Sequence, residues 1–409
     1  MIITTTVLIS MMRGFNSSQK FLMFAVGFVE VLRMLGIFLV LPVFTQYGQL
    51  FTHSALLIGV ALGGYGLTMA IFQAPFGIIS DRFGRKRVIL LGMIPYIIGN
   101  FIAWHPGTIT ILIIGRVIAG AGAITSTGMA FVQESVPEER RNIAMAILGI
   151  PIGLSFMVGI ILGPYLGGLF GYSSLFLISA ILGIVAIFPL LRIKEERKAR
   201  ERHERKRVGR VQWNALMVGA VGFIVSFYMI AFFFYLPTYA KSAFPNIDFY
   251  LLLIPPVIIG GIIAMGASMY ADRGRNTLFS IIALVVLLAS VPFVFVIPHI
   301  SGSGILFMVG AVIFFSGYSI YEIVFTPLVA KLSARESYGA NIGAYNMMQF
   351  TGQFVGGAAG GALITLNLTY GTMIRTTIVL AVLLAVSLVF LYLPTRFKEV
   401  KKRPSPEST

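Results

Sequence analysis

Apolar residues in this chain come in long blocks rather than in alternation. Twelve runs, near 21–45, 54–76, 88–104, 109–132, 143–166, 173–191, 212–237, 249–270, 277–297, 304–328, 342–366 and 372–394, approach the roughly 20 residues that a helix needs to cross a hydrocarbon layer. Polar residues gather between them. The pattern predicts an all-α integral membrane protein with twelve transmembrane helices. Glycine and proline interrupt many runs, which bundled membrane helices accommodate because neighbours satisfy the freed backbone groups. The apolar patch at Val7–Ile9 is followed by Arg13 and Lys20 rather than preceded by bases, so it is not expected to act as a signal peptide.

Composition points the same way: 57% of the 409 residues are hydrophobic and only 11% are charged, more apolar surface than a soluble core of this length buries. All but four of the 31 Lys and Arg fall in the two tails, in the linker after run 6, or in the segments after runs 2, 4, 8 and 10; the exceptions are Arg33, Arg116, Lys241 and Arg375. That imbalance predicts both termini in the cytoplasm, with the chain in the plasma membrane. The net charge of +16 then follows from topology and attraction to anionic membrane lipids, with no nucleic-acid partner needed. There is no cysteine, and His53, His105, His203 and His299 stand at no metal-ligand spacing. Neither a metal nor a cofactor is expected, and a monomer is.

The stretch RIKEERKARERHERKRVGR, residues 192–210, has no apolar face and reads as a solvated, partly helical linker, with Glu196 and Arg200, and Glu201 and Arg205, at i,i+4 spacing. On either side of it the chain repeats weakly. LPVF at 41–44 returns as LPTY at 236–239, SDRFGRKR at 80–87 as ADRGRN at 271–276, and PEER at 137–140 faces ARES at 334–337. Three matches at nearly one offset predict a duplicated six-helix unit. The domains expected are a tail (1–20), a first bundle (21–191), the linker (192–211), a second bundle (212–394) and a second tail (395–409).

Only two acids lie within the apolar runs, Glu30 and Glu322, and Arg33 and Arg116 are the matching bases. Charge at membrane depth is costly unless paired or wet, which marks all four as candidates for proton coupling. Glu30 and Arg33, three apart, share a helix face. Glu322 is expected about two turns from the cytoplasmic end of its helix. Arg116 either braces its helix through an internal salt bridge or tunes a proton-binding acid. A substrate cavity between parallel repeats would draw on Tyr228, Phe232, Tyr235, Tyr318, Tyr321, Asn346, Gln349 and Gln353, whose aromatic and amide groups suit an amphipathic organic solute. No Walker loop, zinc-protease motif or nucleophile elbow is present, so no enzyme activity is expected. Nor is there a filter-like loop or charge ring for a channel.

Residues 77–87, GIISDRFGRKR, pack four bases and one acid between two apolar runs. Gly77, Asp81, Arg82, Gly84, Arg85 and Lys86 follow a pattern that resembles the signature loop of the major facilitator superfamily. RVIAGAGA at 116–123 looks like the second motif of that family, with Ala119 where Gln is common. GIILGPYLGG at 159–168, carrying Gly159, Gly163, Pro164, Gly167 and Gly168, is similar to its antiporter motif. LRMLGIFLVLPV at 32–43, Glu322 with Pro327, and GAYNMMQFTG at 343–352 look closest to the YajR-like branch of drug-efflux-type proton antiporters. That branch has members with an extra C-terminal soluble domain, which the 395–409 tail is too short to form.

The resemblance implies alternating access, with proton-coupled efflux of a small organic solute first and proton-coupled uptake second. It also implies that Asp81 meets the start of the helix beginning near Asn341, that Arg85 pairs with Glu134, and that the segment latches the outward-open state. A positively charged turn that merely orients the protein is the plainer reading. The antiporter-motif glycines equally suit simple close packing; in the motif's terms helix 5 would pack on a helix of the other half, with Pro164 as a kink.

Overall fold

The computed structural model describes residues 12, 14–193, 211–270, 276–297, 301, 303–332, 338–365 and 370–402. Most of the basic linker, the repeat segments 271–275 and 334–337, and His203 and His299 lie outside the described residues. Every regular element among the described residues is helical.

The helix α1 (Ser17–Val40) opens on a capping box in which Asn16 Oδ1 accepts from Gln19 N at 2.8 Å and Gln19 Oε1 accepts from Asn16 N at 3.1 Å. A 3-10 turn at Leu41–Val43, with Pro42 in it, carries the chain into one more helical turn at Phe44–Gly48. Then follow α2 (Ala55–Phe83), α3 (Arg85–Trp104), α4 (Ile109–Gly120), α5 (Thr125–Ser135), α6 (Arg141–Phe170) and α7 (Ser174–Leu191). Beyond the linker come α8 (Trp213–Ala243), α9 (Phe249–Tyr270), α10 (Asn276–Phe295), α11 (Gly304–Leu332), α12 (Tyr338–Thr365) and α13 (Tyr370–Lys402).

Eleven helical stretches among the described residues, α4 with α5 counting as one, are long and apolar enough to cross a membrane. The run at 342–366 is helical but not among them, because the amides and glycines of α12 dilute its apolar content.

The chain divides into two compact units, residues 1–53 with 60–200 and residues 54–59 with 201–409. Their internal packing repeats. In the first unit α1 packs on α6 and α7, and α3 on α4 and α7; in the second α8 packs on α12 and α13, and α10 on α11 and α13. Each of these four pairings in the first unit has a counterpart six runs further along in the second.

Three expectations about boundaries need correction. Residues 77–83 are the end of α2, and the turn to α3 is made by Gly84 alone, at φ 97°. Glycine adopts that left-handed backbone without steric penalty, so one residue suffices where a longer loop was expected. The run at 109–132 is broken at 121–124, between α4 and α5. Here Gly120 and Gly122 let backbones close in: a Cβ on Gly122 would stand 2.6 Å from the Gly92 carbonyl oxygen. Finally, α13 runs eight residues past 394, because a helix does not end where its hydrocarbon-length segment does.

Candidate functional site

Glu30 and Arg33 lie in the second half of α1 and point into the first unit, exposed by only 2% and 0%. Their spacing places both on one face, and Arg33 Nη2 donates to Glu30 Oε2 at 2.8 Å. The same Nη2 donates to Thr125 Oγ1, whose hydroxyl donates to Glu30 Oε2 at 3.2 Å. Arg33 Nη1 donates to Tyr65 Oη on α2 at 3.3 Å. The Tyr96 hydroxyl on α3 donates to the Arg33 carbonyl at 3.1 Å, and Ser179 on α7 donates to that of Gly36 at 2.9 Å, which holds this stretch of α1 in register. Thr125 is the first residue of α5, so the break after α4 is what brings its hydroxyl to the carboxylate.

One carboxylate oxygen is fully engaged and the other is not. Glu30 Oε1 is buried with no hydrogen-bond partner among the described residues, and it faces the small flank of Gly128. A buried acceptor left unmatched is energetically unfavourable.

Arg116, near the end of α4, is buried at 4% exposure and forms no salt bridge among the described residues. Its guanidinium instead lies 4.6 Å from the Tyr65 ring centroid and 5.4 Å from that of Phe44. The salt-bridge brace expected of it is replaced by aromatic faces, because no acid among the described residues other than Glu30 is buried in this unit. Tyr65 thus touches both arginines, through its hydroxyl and through its ring.

The basic residues of 77–87 are spoken for in different ways. Arg85 Nη2 pairs with Asp81, one turn back across Gly84, and with Glu134 on α5 at 2.8 Å. Arg85 Nη1 donates to the Gly77 carbonyl at 3.2 Å and to Ser80. Lys86 Nζ donates to the carbonyls of Leu191 at 3.0 Å and Ile193 at 2.6 Å, capping the exposed C-terminal end of α7, where the helix dipole favours a cation. Arg82 and Arg87 are exposed. Asp81 and Glu134 are about half exposed, so these pairs are worth little to folding stability, about 0–1 kcal/mol.

Residues 26–357 match the sequence pattern of the Major Facilitator Superfamily. The chain belongs to the major facilitator superfamily. Within it the chain falls in the YajR-like branch. An uncharacterized transporter of Buchnera aphidicola subsp. Baizongia pistaciae is 28% identical over 337 residues, 78% of this chain and 84% of its own. The inner membrane transport protein YajR of Escherichia coli K12 is 29% identical over 337 residues, 80% of this chain and 73% of its own. A crystal structure of a D-xylose–proton symporter superposes with a TM-score of 0.75 at 13% identity, over 92% of this chain and 98% of that one, which shows the shared fold. The protein is therefore a multi-pass membrane transporter of the secondary type, and its role is transport rather than catalysis.

Seen as superfamily motifs, two groups of residues fall differently from their expectation. The antiporter-motif glycines Gly159 and Gly163 pack on α1: a Cβ at Gly159 would stand 2.6 Å from Phe38 Cβ, and one at Gly163 would collide with the Leu39 carbonyl oxygen. Gly167 lies against Tyr172, Gly168 has open space, and α6 passes through Pro164 without a break. The close approach is what small residues at helical spacing produce, and it needs no partner from outside the unit.

The five aromatic candidates, Tyr228, Phe232, Tyr235, Tyr318 and Tyr321, all lie in the interior of the second unit. Tyr228 bonds Ser290 at 2.7 Å, Phe232 stacks on Phe314 at 3.8 Å, Tyr235 packs on Phe295 and Tyr239, and Tyr321 bonds Tyr345 at 2.7 Å. All five side chains pack as core here. Asn346, Gln349 and Gln353 are partly exposed. Glu322 is exposed, and it stands ten residues before the end of α11, roughly 15 Å, deeper than the two turns expected.

Thr125, Tyr65 and Tyr345 were not singled out from the sequence. Each acquires its role only from a partner on another helix, and no local pattern announces that.

Proposed function

We propose that this transporter exports a small amphipathic organic solute across the plasma membrane in exchange for protons. The reading includes twelve spans in two six-helix bundles, 21–191 and 212–394, with both termini and the basic linker in the cytoplasm beside anionic lipid head groups.

The observation that carries it is the half-satisfied carboxylate of Glu30, with Oε2 held by Arg33 and Thr125 and Oε1 buried without a partner. A carboxyl group in an apolar interior favours its neutral form, and a guanidinium beside it favours the charged form. If the Arg33 contact is made in one access state and loosened in the other, Glu30 takes up a proton in the second and releases it in the first. Arg116, a second buried cation within the same cluster, strengthens the preference for release. Glu322 is the next site for the proton should Glu30 be eliminated. In this reading the Asp81–Arg85–Glu134 cluster, with Gly77, Arg82 and Gly84 shaping the junction, serves as the latch on one access state.

The test is the sign of proton movement in vesicles that contain the purified protein and a pH-sensitive dye. A solute that enters and drives protons out supports exchange. A solute that enters together with protons makes the protein a symporter, and no coupled proton movement removes the coupling altogether.

A further inference from the structure

Glu322 is built differently from Glu30. It is exposed although it lies well inside α11, and no Lys or Arg pairs with it among the described residues. What it has are neutral donors. Gln349 Nε2 on α12 donates to Oε1 at 3.4 Å, and the Tyr318 hydroxyl, one turn earlier on α11, hydrogen-bonds the same side chain. Asn346, Gln349 and Gln353 follow one another at three- and four-residue steps, so they share the face of α12 that presents Gln349 to the acid. Tyr318 stacks nearly parallel on Phe314, at 5.9 Å and 10°, which backs the acid with a rigid aromatic wall.

An ionised carboxylate at this depth cannot face lipid; such groups face a wet surface or the interior of a bundle. A carboxylate offers about four acceptor positions. Tyr318 and Gln349 occupy two of them with neutral donors, which leaves acceptor capacity and an unbalanced negative charge on an accessible face. The complement is a cation that carries N–H donors. A quaternary ammonium would satisfy the charge but not the remaining lone pairs.

We propose that Glu322 is the docking point for a protonated amine, so that the solute carried is an amphipathic amine whose ammonium meets Glu322 and whose polar atoms meet the Asn346–Gln353 face. This rests on the transport reading above and specifies its substrate class.

The test uses detergent-solubilised protein and three matched probes: a dansyl alkylammonium, its N-trimethyl derivative and its uncharged N-acetyl derivative. A charge-assisted hydrogen bond predicts roughly tenfold or more tighter binding of the ammonium than of the N-acetyl probe, with the N-trimethyl probe between them. In Glu322→Gln the ammonium should fall to the level of the N-acetyl probe, and Glu322→Asp should retain part of the preference. A second measurement needs no variant: the ammonium, but not the N-acetyl probe, should slow labelling of Glu322 by dicyclohexylcarbodiimide in the wild-type protein.

Equal binding of the three probes, a preference that survives Glu322→Gln, or equal protection by both probes overturns the proposal. Binding is read here without a gradient or a vesicle. A protein that binds the ammonium and moves no protons keeps this inference and loses proton exchange, and the opposite result does the reverse.

Discussion

Arg33 meets Glu30 one turn away on α1, at 2.8 Å, with both side chains enclosed by the first unit. The pair is held by helices other than its own, through Tyr65 on α2, Tyr96 on α3 and Thr125 on α5. A buried ion pair with one oxygen unmatched is a poor device for stability, since desolvation offsets much of the attraction. It is well suited to a site that must change charge.

Glu30→Gln mimics the protonated acid and cannot cycle. Accumulation driven by a pH gradient should vanish in vesicles, while exchange at equal concentrations on the two sides continues. A well-expressed Glu30→Gln protein with full gradient-driven transport would transfer the proton to another group. Loss of both activities along with the protein itself would instead mark the pair as a folding contact.

Thr125→Val keeps the shape of the side chain and removes the bridge between Arg33 and Glu30. Stability should drop by about 1–3 kcal/mol, the range for a buried hydrogen-bond partner left alone. Gradient-driven transport should also become less steep in pH, whereas Thr125→Ser should recover both. Thermal melting and a pH series of uptake rates read the two effects separately, and a Thr125→Val protein that matches wild type in both would remove the hydroxyl from the mechanism.

At the junction of α2 and α3, Asp81→Asn and Glu134→Gln each remove one partner of Arg85. Because the pairs are half exposed, melting should shift by no more than about 1 kcal/mol. The latch reading nevertheless expects spin-label distances between the ends of α2 and α12 to redistribute, with a change in transport rate. Unaltered distances and rates would leave these charges with orientation alone.

The two ends of the antiporter motif should respond oppositely to the same substitution. Gly163→Ala forces α6 away from the Leu39 carbonyl and should cost about 1–3 kcal/mol. Gly168→Ala meets open space and should be neutral or mildly stabilising, since alanine is the better helix former. Equal melting shifts for both would show that α1 and α6 are not pressed together at Gly163.

The helical runs were legible because hydropathy over a hydrocarbon length is a one-dimensional signal, and the i,i+3 spacing of Glu30 and Arg33 was legible because helix periodicity is local. The ends of α2 and α13 were not. Charge marks where hydrocarbon stops, and a helix continues into water as readily as Phe83 and Lys402 show. The break at 121–124 was hidden for another reason: Gly-Ala-Gly-Ala is as compatible with a smooth, tightly packed helix as with an interrupted one. The burial of Tyr228, Phe232, Tyr235, Tyr318 and Tyr321 was not legible either, because composition on a helix face does not distinguish a cavity wall from a core. Partners such as Thr125 and Tyr65 exist only once helices are assembled.

The interruption between Gly120 and Thr125 also divides the labour of one span. Arg116 rides on the segment before it and Thr125 on the segment after it, joined by four residues outside the regular helical ladder. A change in a few backbone angles there would swing the hydroxyl toward or away from Glu30 while the guanidinium stayed in its aromatic seat. The span is thus two helical segments with a short joint between them, the Arg116 cation on one side of it and the Thr125 hydroxyl on the other.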